Sequence, residues 1–299
     1  MKVLVTGSSG FIGKHLLDNL DGSIPFDRSP ENAIGKGDVT MLDEVINASK
    51  DCDGIIHLAA ISRISDCDNN PKSCIDVNIN GTLNVLHSAI KNNINWVGIV
   101  TTGTEFQWIE NDEVQSFTKI DNFYGISKLA SELLVDVFGN KTGLKSTIYR
   151  ISSVVFGEGD NPKKVFPLFI SKSINGEDIT INDTLSEWDF IHVDDVVNLI
   201  KKSIFDKKES KDCIKEINIF SGIRLDLLSL AKLINYLSDS SSKIYFENSS
   251  IDKVTTAEFN KIVKKRKIPG KFLSQVSEVI TYKLRDIENV TSNNKNFKK

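Results

Sequence analysis

The chain has 299 residues, 40% hydrophobic and 26% charged, an ordinary globular mixture long enough to bury one large core or two adjoining ones. A formal net charge of −3 offers no long-range attraction to nucleic acid or an anionic membrane, and no stretch approaches the roughly 18 uninterrupted apolar residues of a membrane span. A small-molecule partner and a cytoplasmic location are therefore expected. The four cysteines, Cys52, Cys67, Cys74 and Cys213, form no CxxC pair and have no histidine at ligand spacing, so ordinary reduced thiols and no metal are expected.

Through the first half, short apolar runs alternate with amphipathic stretches, the pattern of βαβ units around a parallel sheet. Strands are predicted over 2–6, 24–26, 54–58, 96–101 and 146–150, and helices over 11–20, 41–48, 75–91 and 123–138. In the helix at 75–91, Ile75, Ile79, Leu83, Leu86 and Ile90 recur every three or four residues and mark one buried stripe. Beyond about residue 155 the alternation loosens: GEGDNPKK is a loop, and VFPLFISKSINGEDITI reads as a helix followed by a short strand. The tail at 291–299 has too little apolar content to pack and is expected to be disordered.

The strand Val3, Leu4, Val5 runs directly into TGSSGFIG, where a helix opens. A strand, a glycine turn and a helix in that order are what a dinucleotide cradle requires: Gly7 for the tight turn, Gly10 for close approach to a pyrophosphate, Gly13 for packing of helix on sheet. The helix N-terminus then presents N–H groups and partial positive charge to the phosphates. The spacing is GxxGxxG rather than GxGxxG. Fourteen residues after Gly13, the run SIPFD ends in Asp27, whose carboxylate suits the adenosine ribose hydroxyls and favours NAD; Arg28 beside it leaves NADP open.

These features, with GDVT (37–40), HLAA (57–60), VNINGTLNVL (77–86), YGISK (124–128), DFIHVDDVVNLI (189–200) and INIFSG (217–222), resemble the extended short-chain dehydrogenase/reductases. The nearest groups in that family are the nucleotide-sugar epimerases, dehydratases and 4-ketoreductases. The resemblance covers roughly residues 1–235 and implies an α/β fold, a Rossmann-like doubly wound parallel sheet with a smaller C-terminal α+β substrate domain. It implies an NAD(P)-binding domain at 1–155 and a mainly substrate-binding domain at 156–290, with 189–222 returning to the first. Cofactor contacts are implied at Phe11, Ile12, Asp38, Val39, Leu58, Ala59 and Ala60 besides the residues above. Asn78, His57 and His192 are expected to be structural.

Tyr124 and Lys128 stand four apart in a helical segment and so share one face. By the resemblance they are catalytic and touch the cofactor, with Thr102 at the end of the strand predicted over 96–101 as third member and Thr104 as reserve, a substrate contact. Family dehydratases carry Asp-Glu directly after that threonine; Gly103 and Thr104 stand here, which disfavours a dehydratase. Trp188 replaces an arginine common in the epimerases, and Ser152 and Ser153 stand where asparagine is usual; all three are expected to contact substrate. The basic run at 261–271 and Arg224 are further candidates for anion contacts, the run being otherwise a solvated helix face. The expected activity is hydride transfer at C4 of a nucleotide-activated hexose, by reduction or epimerisation. The alternatives are a dehydratase and a non-catalytic NAD(P)-sensing or protein-binding relative. By the resemblance, helices 75–91 and 123–138 form a dimerising bundle, so a homodimer is expected.

Overall fold

A computed structural model describes residues 1–28, 35–103, 107–110, 113–116, 120–183, 185–206, 212–246 and 249–296, with backbone alone at 107–110, 113–116 and 288–296. In chain order the elements are β1 (Val3–Thr6), α1 (Phe11–Asn19), β2 (Ser23–Phe26), α2 (Leu42–Ala48), β3 (Gly54–His57), α3 (Ile64–Asn69) and α4 (Pro71–Cys74). A π-helical turn, Ile75–Asn80, leads into α5 (Gly81–Lys91), β4 (Trp96–Thr102), β5 (Gln107–Glu110), β6 (Glu113–Ser116), α6 (Phe123–Thr142), β7 (Lys145–Ile151) and β8 (Val154–Phe156). Then come α7 (Val165–Asn175), β9 (Ile179–Ile181), β10 (Glu187–His192), α8 (Val193–Phe205), β11 (Ile214–Ile219), β12 (Arg224–Asp226) and α9 (Leu227–Leu237). The chain closes with β13 (Ile244–Phe246), β14 (Ser249–Ile251), α10 (Thr256–Lys265) and α11 (Gly270–Asn296).

Two compact units result. The first comprises 1–152 and 195–220, the second 153–194 and 221–299. In the first, six strands pair in parallel in the order β11-β7-β4-β3-β1-β2, a Rossmann-like doubly wound sheet. A sheet covered on both faces needs strands that are apolar throughout, and β1 and β3 are buried at every residue. Leu4, Ile55, Val97, Ile99 and Ile148 of the sheet pack with Val85 and Leu86 of α5 and Val135 of α6. Strand order reverses between β1 and β3, which opens a crevice at their carboxyl ends, where ligands of such sheets bind.

The second unit carries two three-stranded sheets, β12-β10-β8 and β14-β13-β9. Its core is aromatic: Phe156 stacks on Phe166 with ring centroids 4.0 Å apart, and Phe190, Phe272, Leu230 and Ile234 close around them. α10 begins with a capping box, Thr255 accepting from Glu258 N while the Glu258 carboxylate accepts from Thr255 N. α11 runs to Asn296. No helix among the described residues is long and apolar enough to cross a membrane.

Candidate active site

The glycine turn after β1 is closed so tightly that side chains are excluded. Gly7 has φ +70°, and a Cβ there would lie 2.5 Å from Ala59 N; a Cβ on Gly13 would lie 2.3 Å from Gly7 O. The main chain of Leu58 and Ala59 therefore crosses directly beside the turn. Gly10 is the N-cap of α1 and makes no side-chain cap hydrogen bond, and a helix N-terminus is a favourable place for an anion. Such a cradle fits a dinucleotide pyrophosphate, with Phe11 and Ile12 in the first turn. Gly13→Ala is expected to push α1 off the turn and weaken NAD at least tenfold, about 1.4 kcal/mol, with far-UV circular dichroism preserved. Calorimetric titration with NAD checks it.

Asp27 follows β2 at the edge of the same turn, and its Oδ2 accepts from Ser9 N at 3.0 Å. The exposed Arg28 guanidinium stands 3.9 Å from the Asp38 carboxylate. Asp38 Oδ1 also accepts from Thr40 N and Thr40 Oγ1, both at 2.9 Å, which fixes the loop that buries Val39. Ala59 N donates to Thr6 Oγ1 at 3.3 Å, and Ala60 follows it, half-buried.

Beneath this surface runs a buried polar chain. His57 Nδ1 is 2.7 Å from Thr6 Oγ1 and its Nε2 is 3.2 Å from Thr82 Oγ1, which in turn donates to Asn78 O at 2.6 Å. Burial, and then the Lys128 charge, hold His57 down to about 3. The unfolded imidazole takes a proton near pH 6.5 and the folded one does not, so this ring's contribution to stability is complete above about pH 6.5 and is lost as pH falls toward 3. Between pH 6.5 and 5 the loss amounts to about 2 kcal/mol. Urea titrations across that window should show the decline, and His57→Gln should flatten it. His192 is buried too, its ring edge-on to Phe156.

Helix α6 brings Tyr124 and Lys128 together. Asn122 caps it, Oδ1 accepting from Gly125 N at 2.8 Å, and Asp68 Oδ1 of α3 accepts from Phe123 N at 3.0 Å. The Tyr124 carbonyl accepts from Ser127 Oγ at 2.7 Å, and Ser127 Oγ accepts from Asn78 Nδ2 at 2.9 Å. Asn78 also holds Ile61 by both main-chain groups, its Oδ1 accepting from N and its Nδ2 donating to O. One asparagine thus joins the segment after β3 to the helix that carries Tyr124. Lys128 is 8% exposed; its Nζ lies 6.0 Å from the Tyr124 ring centroid and donates to Val100 O at 3.0 Å. Burial lowers its ammonium to about 8, against the opposing pull of the Cys67 and Cys74 thiols and the Glu132 carboxylate.

Val100 O belongs to β4 two residues before Thr102, so the lysine is anchored next to the strand end that bears this threonine. Thr102 is buried, with Oγ1 3.5 Å from Ile151 O, while Thr101 turns the other way and donates to Glu132 Oε1 at 2.6 Å. Gly103 packs against Ser152: a Cβ on Gly103 would fall 1.9 Å from Ser152 Oγ. Thr104 lies outside the described residues. In the second unit, Ser153 Oγ donates to Asp189 Oδ1, which also accepts from Ser221 N at 2.9 Å. Trp188, 45% exposed, pairs across the ladder with Leu225. Of the basic run at 261–271, Arg266 is engaged by two carboxylates, Glu187 at 2.5 Å and Asp226 at 2.6 Å. Sequence reasoning missed Asp68 and Asn122. An asparagine just ahead of an apolar helix could have identified the second; only the tertiary contact reveals the first.

Residues 3–220 match the NAD dependent epimerase/dehydratase family. The chain is 30% identical over 246 residues to a GDP-6-deoxy-D-talose 4-dehydrogenase of Aggregatibacter actinomycetemcomitans, covering 80% of each. It is 26% identical over 223 residues to a dTDP-glucose 4,6-dehydratase of Streptomyces antibioticus, covering 65% of this chain and 66% of the relative. A UDP-glucose 4-epimerase of Thermotoga maritima solved with UDP-glucose superposes with a TM-score of 0.77 at 22% identity, over 96% of this chain and all of that one, a likeness of fold. The chain belongs to the NAD-dependent epimerase/dehydratase family of nucleotide-sugar enzymes.

Proposed function

We propose that this protein moves hydride at C4 of a nucleotide-activated hexose, as a 4-ketoreductase or a 4-epimerase, with Tyr124, Lys128 and Thr102 as its catalytic residues. The observation that carries the reading is the placement of the Lys128 ammonium 6.0 Å from the Tyr124 ring and bonded to the strand that ends in Thr102. Bound NAD(H) supplies the hydride acceptor or donor. Tyr124 holds or takes the proton of the C4 oxygen. In reduction its phenol protonates that oxygen; in epimerisation the phenolate first removes the proton and later returns it. A free phenol has a pKa of about 10, and lowering it by three units needs about 4 kcal/mol of preference for the tyrosinate, which a nearby ammonium in a poorly hydrated site supports. The Thr102 hydroxyl orients the sugar oxygen toward Tyr124.

Gly103 supports this reading over dehydration. An acid at that position would have to displace the Ser152 side chain, and the dehydratases that the sequence resembles usually carry Asp-Glu directly after the threonine. Ser152, Ser153 and Trp188 are proposed substrate contacts, the tryptophan by stacking on the base or sugar, since it cannot neutralise phosphate. The proposed cofactor contacts are the glycine turn, Asp27 and Arg28, Asp38 and Val39, and residues 58–60. A cytoplasmic homodimer is proposed too: Ile126, Leu133 and Val137 of α6 are each about half exposed, an apolar stripe that a second copy would cover. Leu133→Glu should convert the dimer to monomer in sedimentation.

Screening nucleotide sugars and their 4-keto forms while following reduced-nicotinamide absorbance tests the reading. A reductase consumes added cofactor stoichiometrically; an epimerase retains NAD and interconverts its sugars without net consumption. Neither behaviour with any nucleotide hexose would overturn it.

A further inference from the structure

Cys67 and Cys74 stand seven residues apart on α3 and α4, both fully buried and both free. Cys74 Sγ lies 2.6 Å from Cys67 Sγ, so the two sulfurs are in contact. Within α3, Cys67 is the sole buried residue; Ile64, Ser65, Asp66, Asp68 and Asn69 are exposed. A six-residue helix is far too short to persist by itself. Its local opening costs much less than global unfolding. Such an opening uncovers Cys67 and removes the cover from its neighbour.

We propose that Cys67 and Cys74 form an oxidisable thiol pair that closes into a disulfide when hydrogen peroxide meets the opened form of α3. The Cys67 thiolate attacks one peroxide oxygen; the O–O bond breaks, one water leaves, and Cys67 becomes a sulfenic acid. The Cys74 sulfur then attacks the Cys67 sulfur and expels the second water, so two thiols lose two electrons and two protons to one peroxide. In the closed form, burial and the neighbouring Cys74 push the Cys67 thiol up to about 12, which keeps it protonated and inert until α3 opens.

The consequence reaches α6. Asp68, next to Cys67, accepts from Phe123 N, and Cys74 Sγ lies 3.5 Å from Asn78 Nδ2 and 3.8 Å from Phe123 O. The disulfide would therefore staple α3 to α4, each of which touches Phe123 at the start of the helix that carries Tyr124. This inference does not depend on the substrate assigned above.

The full-length protein, treated with hydrogen peroxide and alkylated in denaturant, is read by intact mass and a non-reducing peptide map. Two of the four cysteines are expected to escape alkylation, with a mass lower by two hydrogens and a Cys67–Cys74 cross-link that dithiothreitol reverses. Amide exchange over residues 63–70 should slow about tenfold in the oxidised form. Cys67→Ser should leave Cys74 open to alkylation; the wild-type map supports the same conclusion should that variant misfold. Full alkylation of Cys67 and Cys74 after half-buried Cys213 has been oxidised would overturn the proposal. A cross-link between other cysteines, or unchanged exchange, would do so as well.

Discussion

Tyr124→Phe is expected to lower kcat about a thousandfold while NAD affinity changes by less than about tenfold. The substitution keeps the ring over which Lys128 lies and removes only the hydroxyl. A positioned acid or base contributes about 10²–10⁴ in rate, and among the described residues the phenol beside this ammonium is that of Tyr124. The glycine turn, in contrast, is proposed to hold NAD through main-chain groups, which the substitution leaves alone. Steady-state kinetics with the substrate found by screening, together with calorimetric NAD titration, separates the two effects. Loss of turnover with binding retained supports Tyr124 as the proton carrier, whereas unchanged turnover removes it from the mechanism.

Glu132→Ala is expected to cost about 3–5 kcal/mol of stability. Glu132 on α6 accepts from Arg150 Nε at 2.9 Å and Nη2 at 2.7 Å, and from Thr101 Oγ1. Both side chains of this ion pair are less than a tenth exposed, while Glu216, which also receives Arg150, is 51% exposed. Removing Glu132 leaves a guanidinium desolvated on one side with only a solvent-facing carboxylate to answer it. The melting temperature should fall by about 10 °C in calorimetry. Replacing both buried partners, Glu132→Leu with Arg150→Met, should recover more than half of that loss, because the main penalty is the stranded charge. This cluster joins α6 to β7 and β11, so the helix bearing Tyr124 and Lys128 is held along its middle as well as at its capped end.

The doubly wound sheet was legible because β1, β3 and β4 are largely apolar runs too short for helices and separated by amphipathic stretches. The glycine turn was legible for a steric reason, since positions 7 and 13 admit no Cβ. Residues 75–91 showed one helical period, yet the chain forms a π turn over Ile75–Asn80 before α5. Asn78 within that turn reaches Ile61 and Ser127, contacts that the period does not register. Helices α3 and α4 escaped notice for a related cause: α3 buries one residue and so has no stripe to read. At the site, the spacing of four placed Tyr124 and Lys128 on one face. The anchor of Lys128 on Val100 O and the Asp68 contact at Phe123 N join residues 28 and 55 apart, and no local pattern encodes them.

The most direct measurement follows a deuterium label through turnover, placed at C4 of the nucleotide hexose when the sugar is oxidised or epimerised and on the reduced nicotinamide when a 4-keto sugar is reduced. Transfer at C4 predicts a primary isotope effect, with the label passing between the sugar and the nicotinamide and none lost to solvent. Washout of the label into water, or a product altered elsewhere with C4 untouched and the rate unchanged, would contradict it.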